Sequence, residues 1–211
     1  MEAGNDVTLS VKTGKFNNDK NTTYGFYQLF YGDTTIGDRL TSTVESTVDD
    51  KTKRLVISPL TSAHDHPTVD LIEALAHDKL TLGDDAHLTS TVTATTEMKK
   101  DGQEIGQYGA YLSQMDYKIG KNMQIHATQT GVKGTSDTQI NGNIYTIGIY
   151  NDHGAKGTIG AGLQDTVTVR DRAMGYVKGL YCGDGEVTMG DTAVLPPGLK
   201  TVTFSVTMEC M

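Results

Sequence analysis

The chain has 211 residues, a mass of 22.7 kDa, a formal net charge of -8 and a pI near 5.1. Phosphate contacts need clustered Lys and Arg, so this balance excludes nucleic acid as a partner and disfavours anionic membrane surfaces. A hydrophobic content of 36% and a mean hydropathy of -0.35 predict a thin core, with one face of each strand buried and the other wet.

Period-two alternation runs through the chain and predicts strands. Val7, Leu9 and Val11 alternate with Thr8, Ser10 and Lys12. Tyr24–Tyr31 reads as an aromatic strand closed by Gly32-Asp33, and Leu40–Val48 as a mostly polar strand. Lys53–Ile57 reads as a short strand stopped by Ser58-Pro59. After Pro67, Leu71, Ile72 and Leu75 fall at helical spacing with Thr68 as N-cap, which predicts one short helix over Val69–His77. Strands resume at Leu88–Met98, where Lys100-Asp101-Gly102 reads as a hairpin turn. They continue at Gln107–Tyr117, Met123–Thr130, Asn143–Tyr150, Thr166–Arg170, Tyr176–Tyr181, Glu186–Met189 and Thr201–Met211. No repeat of fixed period is evident. The expected architecture is a single immunoglobulin-like β-sandwich with one short helical insertion.

Cys182 and Cys210 have neither CxxC nor zinc-ribbon spacing; in an oxidising compartment they are expected to form one disulfide, worth about 3 kcal/mol in the chain-entropy model. The lone Met1 before Glu2 reads as a start residue on a processed, secreted chain. His64-Asp65-His66 puts two rings on one face of a strand, within reach of one Zn²⁺, with His126, His77 or His87 as a third ligand; the competing reading is solvated loop histidines and no cofactor. Asn151-Asp152, Asp184-Gly185-Glu186 and Asp84-Asp85 offer hard oxygens for Ca²⁺ but reproduce no EF-hand loop, and ordinary turns are the simpler account. There is no Gly-x-Ser-x-Gly elbow, no paired carboxylates and no P-loop Lys after Gly157–Gly162, so the chain is not expected to be an enzyme. Tyr24, Tyr27, Tyr31, Tyr108, Tyr111, Tyr117, Tyr145 and Tyr150 fall in expected strands, where an apolar ring with a polar tip suits sugar or protein recognition.

The segment Leu195-Pro196-Pro197-Gly198, followed by the strand Thr201–Cys210 with Val202, Phe204, Val206 and Met208 on one face, resembles the closing strand of chaperone–usher fimbrial subunits. Val7-Thr8-Leu9-Ser10-Val11 is similar to their donor strand. The resemblance covers about twenty residues at the two ends and departs from the common pilin pattern in having both cysteines late. It implies residues 1–12 as a donor-strand extension on a sandwich domain of residues 13–211, with Val7, Leu9 and Val11 as the inserting side chains. It also implies neighbouring pilus subunits, a periplasmic chaperone and an usher as partners, and a cell-surface fimbrium reached through the periplasm as the location. The expected function is therefore a structural or adhesive subunit of a bacterial surface fibre. The alternatives are a tip adhesin for a host glycan or receptor, metal-assisted through His64 and His66, and a phage virion or tail structural protein.

Overall fold

The computed structural model describes residues 1–14, 21–29, 32–63, 79–96, 104–131, 144–170, 176–183, 185–190 and 206–209. The chain winds as a solenoid, each rung laying one strand in each of three sheets. The first rung is β1 (Glu2–Ala3), β2 (Thr8–Thr13) and β3 (Asn21–Leu29); the second is β4 (Thr34–Ile36), β5 (Thr41–Val48) and β6 (Arg54–Ala63). The third is β7 (Lys79–Leu82), β8 (His87–Ala94) and β9 (Glu104–Ser113); the fourth is β10 (Asp116–Ile119), β11 (Gln124–Thr130) and β12 (Ile144–Asp152). The fifth is β13 (Ala155–Ile159), β14 (Gln164–Arg170) and β15 (Tyr176–Cys182). β16 (Gly185–Met189) extends the first sheet, and β17 (Val206–Glu209) pairs antiparallel with it. Among the described residues every other strand pairing is parallel.

This overturns the immunoglobulin-like sandwich, whose sheets are antiparallel. The two-residue beat was read correctly as half-buried strands, but the beat is the same whether the neighbour runs parallel or antiparallel. β8 and β9, expected to form a hairpin, lie in different sheets. Ser58-Pro59 does not stop a strand, since β6 runs through both. Among the described residues there is no helix, and the helical segment Val69–His77 lies outside them. The Cys182–Cys210 bridge is likewise no part of the described structure: Cys182 ends β15, and Cys210 lies outside the described residues.

In-register stacking turns single positions into columns. Ala3, Ile36, Leu82, Ile119, Ile159 and Met189 form one inward column of the first sheet. In the second sheet Val11 lies beside Val44, while Leu88 lies beside Ser42 and Ile125. These side chains fill the tube as two clusters, one around Leu40, Leu82, Leu88 and Ile125 and the other around Val44, Leu55, Val92 and Ile105.

The corner between the first and second sheets is built the same way in five rungs: Gly4-Asn5-Asp6-Val7, Gly37-Asp38-Arg39-Leu40, Gly83-Asp84-Asp85-Ala86, Gly120-Lys121-Asn122-Met123 and Gly160-Ala161-Gly162-Leu163. The third residue always takes the left-handed conformation, with φ of 61° at Asp6 and Arg39, 59° at Asp85, 58° at Asn122 and 82° at Gly162. Asp, Asn and Gly tolerate it best. Arg39 is held there by two bonds to the Asp6 carboxylate, at 2.6 and 2.9 Å. The second residue forms a ladder along the axis. Asp38 N–H donates to Asn5 Oδ1 (2.9 Å), Asp84 N–H to Asp38 Oδ1 (2.9 Å) and Lys121 N–H to Asp84 Oδ1 (2.7 Å). The first position stays small because a Cβ on Gly83 would strike Asp38 Oδ1 and stand 2.6 Å from the Gly37 carbonyl carbon.

Asp38→Ala is expected to cost about 1 kcal/mol through the lost acceptor, with Asp38→Asn nearly neutral. Gly83→Ala is expected to cost about 2 kcal/mol or more through overpacking. Urea unfolding of the three variants checks the order.

Candidate functional site

The third sheet repeats a second unit: Tyr24-Gly25-Phe26-Tyr27, Ser58-Pro59-Leu60-Thr61, Tyr108-Gly109-Ala110-Tyr111, Ile147-Gly148-Ile149-Tyr150 and Lys178-Gly179-Leu180-Tyr181. The Gly or Pro position bends the strand, and the apolar residue after it faces the core: Leu60, Ala110 and Ile149 are fully buried. The residues on either side of this pair point outward. Their column therefore carries tyrosine on four of five rungs, aligned as Tyr27, Thr61, Tyr111, Tyr150 and Tyr181.

Strand spacing sets the rings at stacking distance. Tyr111 and Tyr150 lie 4.7 Å apart at 7°, and Tyr150 and Tyr181 lie 4.9 Å apart at 13°. Tyr108 meets Tyr111 and Tyr150 edge-on, and its ring centre lies 5.7 Å from that of Tyr145. Tyr145 can lie across the neighbouring rung because Gly106, its partner in β9, leaves the space free. Between these rows opens a groove of about 280 Å³, lined by Tyr108, Tyr145, Ile147, Tyr150, Lys178 and Tyr181. That is near the lower end of small-ligand sites, at about 300 Å³. The Lys178 ammonium stands 4.5 Å from the centre of the Tyr181 ring, a cation–π contact.

Polar groups frame the groove. Tyr145 donates to Glu104 Oε1 (3.2 Å), whose other oxygen lies 3.0 Å from Arg54 Nε, and the Tyr150 hydroxyl donates to Asp152. Burial pushes the Tyr108 phenol far above its ordinary range, followed by the influence of Tyr145. Burial likewise raises Tyr150, followed by its bond to Asp152. The phenols therefore remain neutral donors at physiological pH, and Lys178 supplies the positive charge. The arrangement suits a ligand with an apolar body, several hydroxyls and one anionic group.

Beneath the same sheet lies a buried acid. Asp165 of β14 points inward under Gly148, neither carboxyl oxygen has a hydrogen-bond partner among the described residues, and burial raises its pKa from 3.8 to about 8. It holds a proton inside the tube and is not open to a ligand.

The structure scatters the residues singled out from sequence. Val7 precedes β2 and Leu9 and Val11 lie within it, all packed on the core of their own chain. His126 is exposed on the outer face of the second sheet, in register with Thr89 and Thr166. His64, His66 and His77 lie outside the described residues, as do Tyr31 and Asp184. Among the described residues no three His, Cys, Asp or Glu gather as a metal site. Asp84 and Asp85 serve the corner, Asp85 accepting from Asn122 Nδ2 (3.0 Å). Asn151 is buried, accepting from the Tyr117 hydroxyl (2.9 Å) and donating to Ala155 C=O (3.1 Å). Of the tyrosines, Tyr108, Tyr111, Tyr145 and Tyr150 do come together, while Tyr117 is buried in the core. Ile147, Lys178 and Tyr181 were missed; the signal for them was the recurring x-Gly-apolar-Tyr unit. Compared with protein-family models, curated proteins and solved structures, the chain matches none.

Asp165 makes stability depend on pH. Below about pH 4 folded and unfolded chains both hold the proton. As pH rises toward 8 the unfolded chain ionises while the folded one stays neutral, so stability falls, and it levels off above about pH 8. Asp165→Asn is expected to match the wild type near pH 4 and to exceed it at pH 8.5 by on the order of a few kcal/mol. Urea unfolding at the two pH values tests this; parallel slopes for the two proteins would contradict it.

Proposed function

We propose that this chain is a surface-displayed adhesive module of a bacterium, and that it binds acidic glycans in the groove of the third sheet. The observation that carries the reading is the groove itself, with Ile147, tyrosine rings on two sides and the Lys178 ammonium near Tyr181. Tyrosine offers an apolar ring to the carbon face of a sugar and a hydroxyl to its polar edge. Lys178 has no carboxylate partner among the described residues, so its charge is available to the carboxylate of an acidic sugar. The neutral phenols and the Glu104–Arg54 and Asp152 rim suit hydroxyl groups around it.

The parallel solenoid supports display rather than donor-strand polymerisation. Its rungs hold the aromatic rows in one register along the axis, which pre-organises the site and reduces the ordering cost of binding. A location outside the cell and binding without chemical turnover are parts of the same proposal.

Titration with acidic and neutral oligosaccharides tests it. The acidic sugars are expected to bind more tightly. Lys178→Ala is expected to weaken them about tenfold or more while leaving neutral sugars unchanged, since a charge-assisted hydrogen bond contributes about 1.5–3 kcal/mol. Ile147→Glu is expected to weaken all of them. Absence of glycan binding, or affinity unaffected by both substitutions, contradicts the proposal.

A further inference from the structure

We propose that Tyr150 is a redox-active tyrosine, which gives one electron to a small, diffusible oxidising radical while its phenol proton passes to Asp152. The proposal is independent of glycan binding and rests on what stands around this one ring. Tyr150 is the middle ring of a stack, with Tyr111 4.7 Å away at 7° and Tyr181 4.9 Å away at 13°. Tyr108 presents an edge to it at 5.4 Å, and the Tyr145 ring lies 5.7 Å from that of Tyr108. Rings this close exchange electrons readily. Whichever of them the oxidant strikes, the electron deficit moves to the ring that gives up an electron at least cost. The parallel ladder holds the rings in register, so little rearranges as the charge moves.

The proton decides which ring that is. A phenol that loses an electron becomes a strong acid, and the loss is easiest where a positioned base already accepts its hydrogen bond. Tyr150 donates to Asp152 Oδ2, while Asp152 Oδ1 accepts the His153 N–H (2.9 Å). Tyr145 donates to Glu104 at 3.2 Å, but Arg54 Nε stands 3.0 Å from the other oxygen of that carboxylate and offsets its charge. Tyr117 donates to the side-chain oxygen of Asn151, an amide and not a base. The Lys178 ammonium stands 4.5 Å from the centre of the Tyr181 ring and opposes positive charge there. The deficit therefore settles on Tyr150. Burial, followed by the bond to Asp152, raises the Tyr150 pKa, so the phenol does not ionise beforehand and its proton leaves together with the electron.

The step is balanced within these groups and the oxidant. The oxidising radical gains one electron, the Tyr150 O–H bond breaks, and the proton bonds to Asp152 Oδ2. What remains is a neutral phenoxyl radical facing a carboxylic acid. A reductant such as ascorbate returns the electron, and Asp152 returns the proton.

Azide radicals generated by pulse radiolysis, at fewer than one per chain, test the proposal on the full chain. A nitroso spin trap marks the tyrosine that carries the radical, and peptide mass mapping locates the mark. The expected adduct is chiefly on Tyr150. If exposure alone governed the outcome, it would fall on Tyr27, which is 43% exposed and has Thr61 between it and Tyr111 in the column. Asp152→Asn keeps the shape of the acceptor but removes the base, and should lower the ratio of Tyr150 to Tyr27 adduct about tenfold or more. Tyr150→Phe keeps the ring and should move the adduct to other tyrosines. Circular dichroism and melting check that both variants fold, and the wild-type map decides between Tyr150 and Tyr27 without them. A wild-type adduct chiefly on Tyr27, or a Tyr150 share unchanged by Asp152→Asn, would overturn the proposal.

Discussion

Parallel hydrogen bonding between rungs is the interaction on which the remainder of the structure depends. A strand in this molecule is satisfied by the strands one turn before and one turn after it, in the same register. The register must therefore pass unbroken around each corner. Between the first two sheets it does so through four residues that never change in number. The left-handed third residue turns the chain, and the side chain of the second reaches the next rung's N–H. The other two connections absorb the irregularity: residues 95–103 separate β8 from β9 but 171–175 separate β14 from β15, and residues 64–78 separate β6 from β7 but 153–154 separate β12 from β13. Length can vary there because the register has already been set at the first corner.

The same constraint accounts for the candidate site. Stacked strands place like positions about 4.8 Å apart, which is also a comfortable distance between parallel aromatic rings. One tyrosine per turn thus becomes a row, and two offset rows leave a groove between them. The core obeys the rule in reverse: columns of Ile, Leu and Val fill the tube, and a polar intruder such as Asp165 must stay protonated. The aromatic face belongs to the third sheet and the buried acid to the second, each held by the parallel ladder of its own sheet. A change to the register would disturb both.

Much of the strand content was legible in the sequence, and the architecture was not. Strands of the second sheet announce themselves through alternation, as in Thr41–Val48 with its buried Ser42, Val44, Ser46 and Val48. Strands of the first sheet are too short to show a period: Thr34–Ile36 and Lys79–Leu82 offer two buried residues each. Alternation also carries no information on strand direction, so an antiparallel sandwich accounted for the same pattern. The corner glycines looked like ordinary turns because they recur at unequal intervals, at 4, 37, 83, 120 and 160. The tyrosines were noted as recognition residues, but their convergence depends on stacking across rungs that lie roughly 40 residues apart in sequence, a relation no local window contains.

The most direct test of the account is the pattern of short interproton contacts along one inward column. Parallel stacking predicts backbone amide-to-Hα nuclear Overhauser contacts that link the neighbourhoods of Ser42 and Leu88, then Leu88 and Ile125, then Ile125 and Asp165. Strong Hα–Hα contacts between β8 and β9, the mark of an antiparallel hairpin, would contradict the solenoid and everything built on its register.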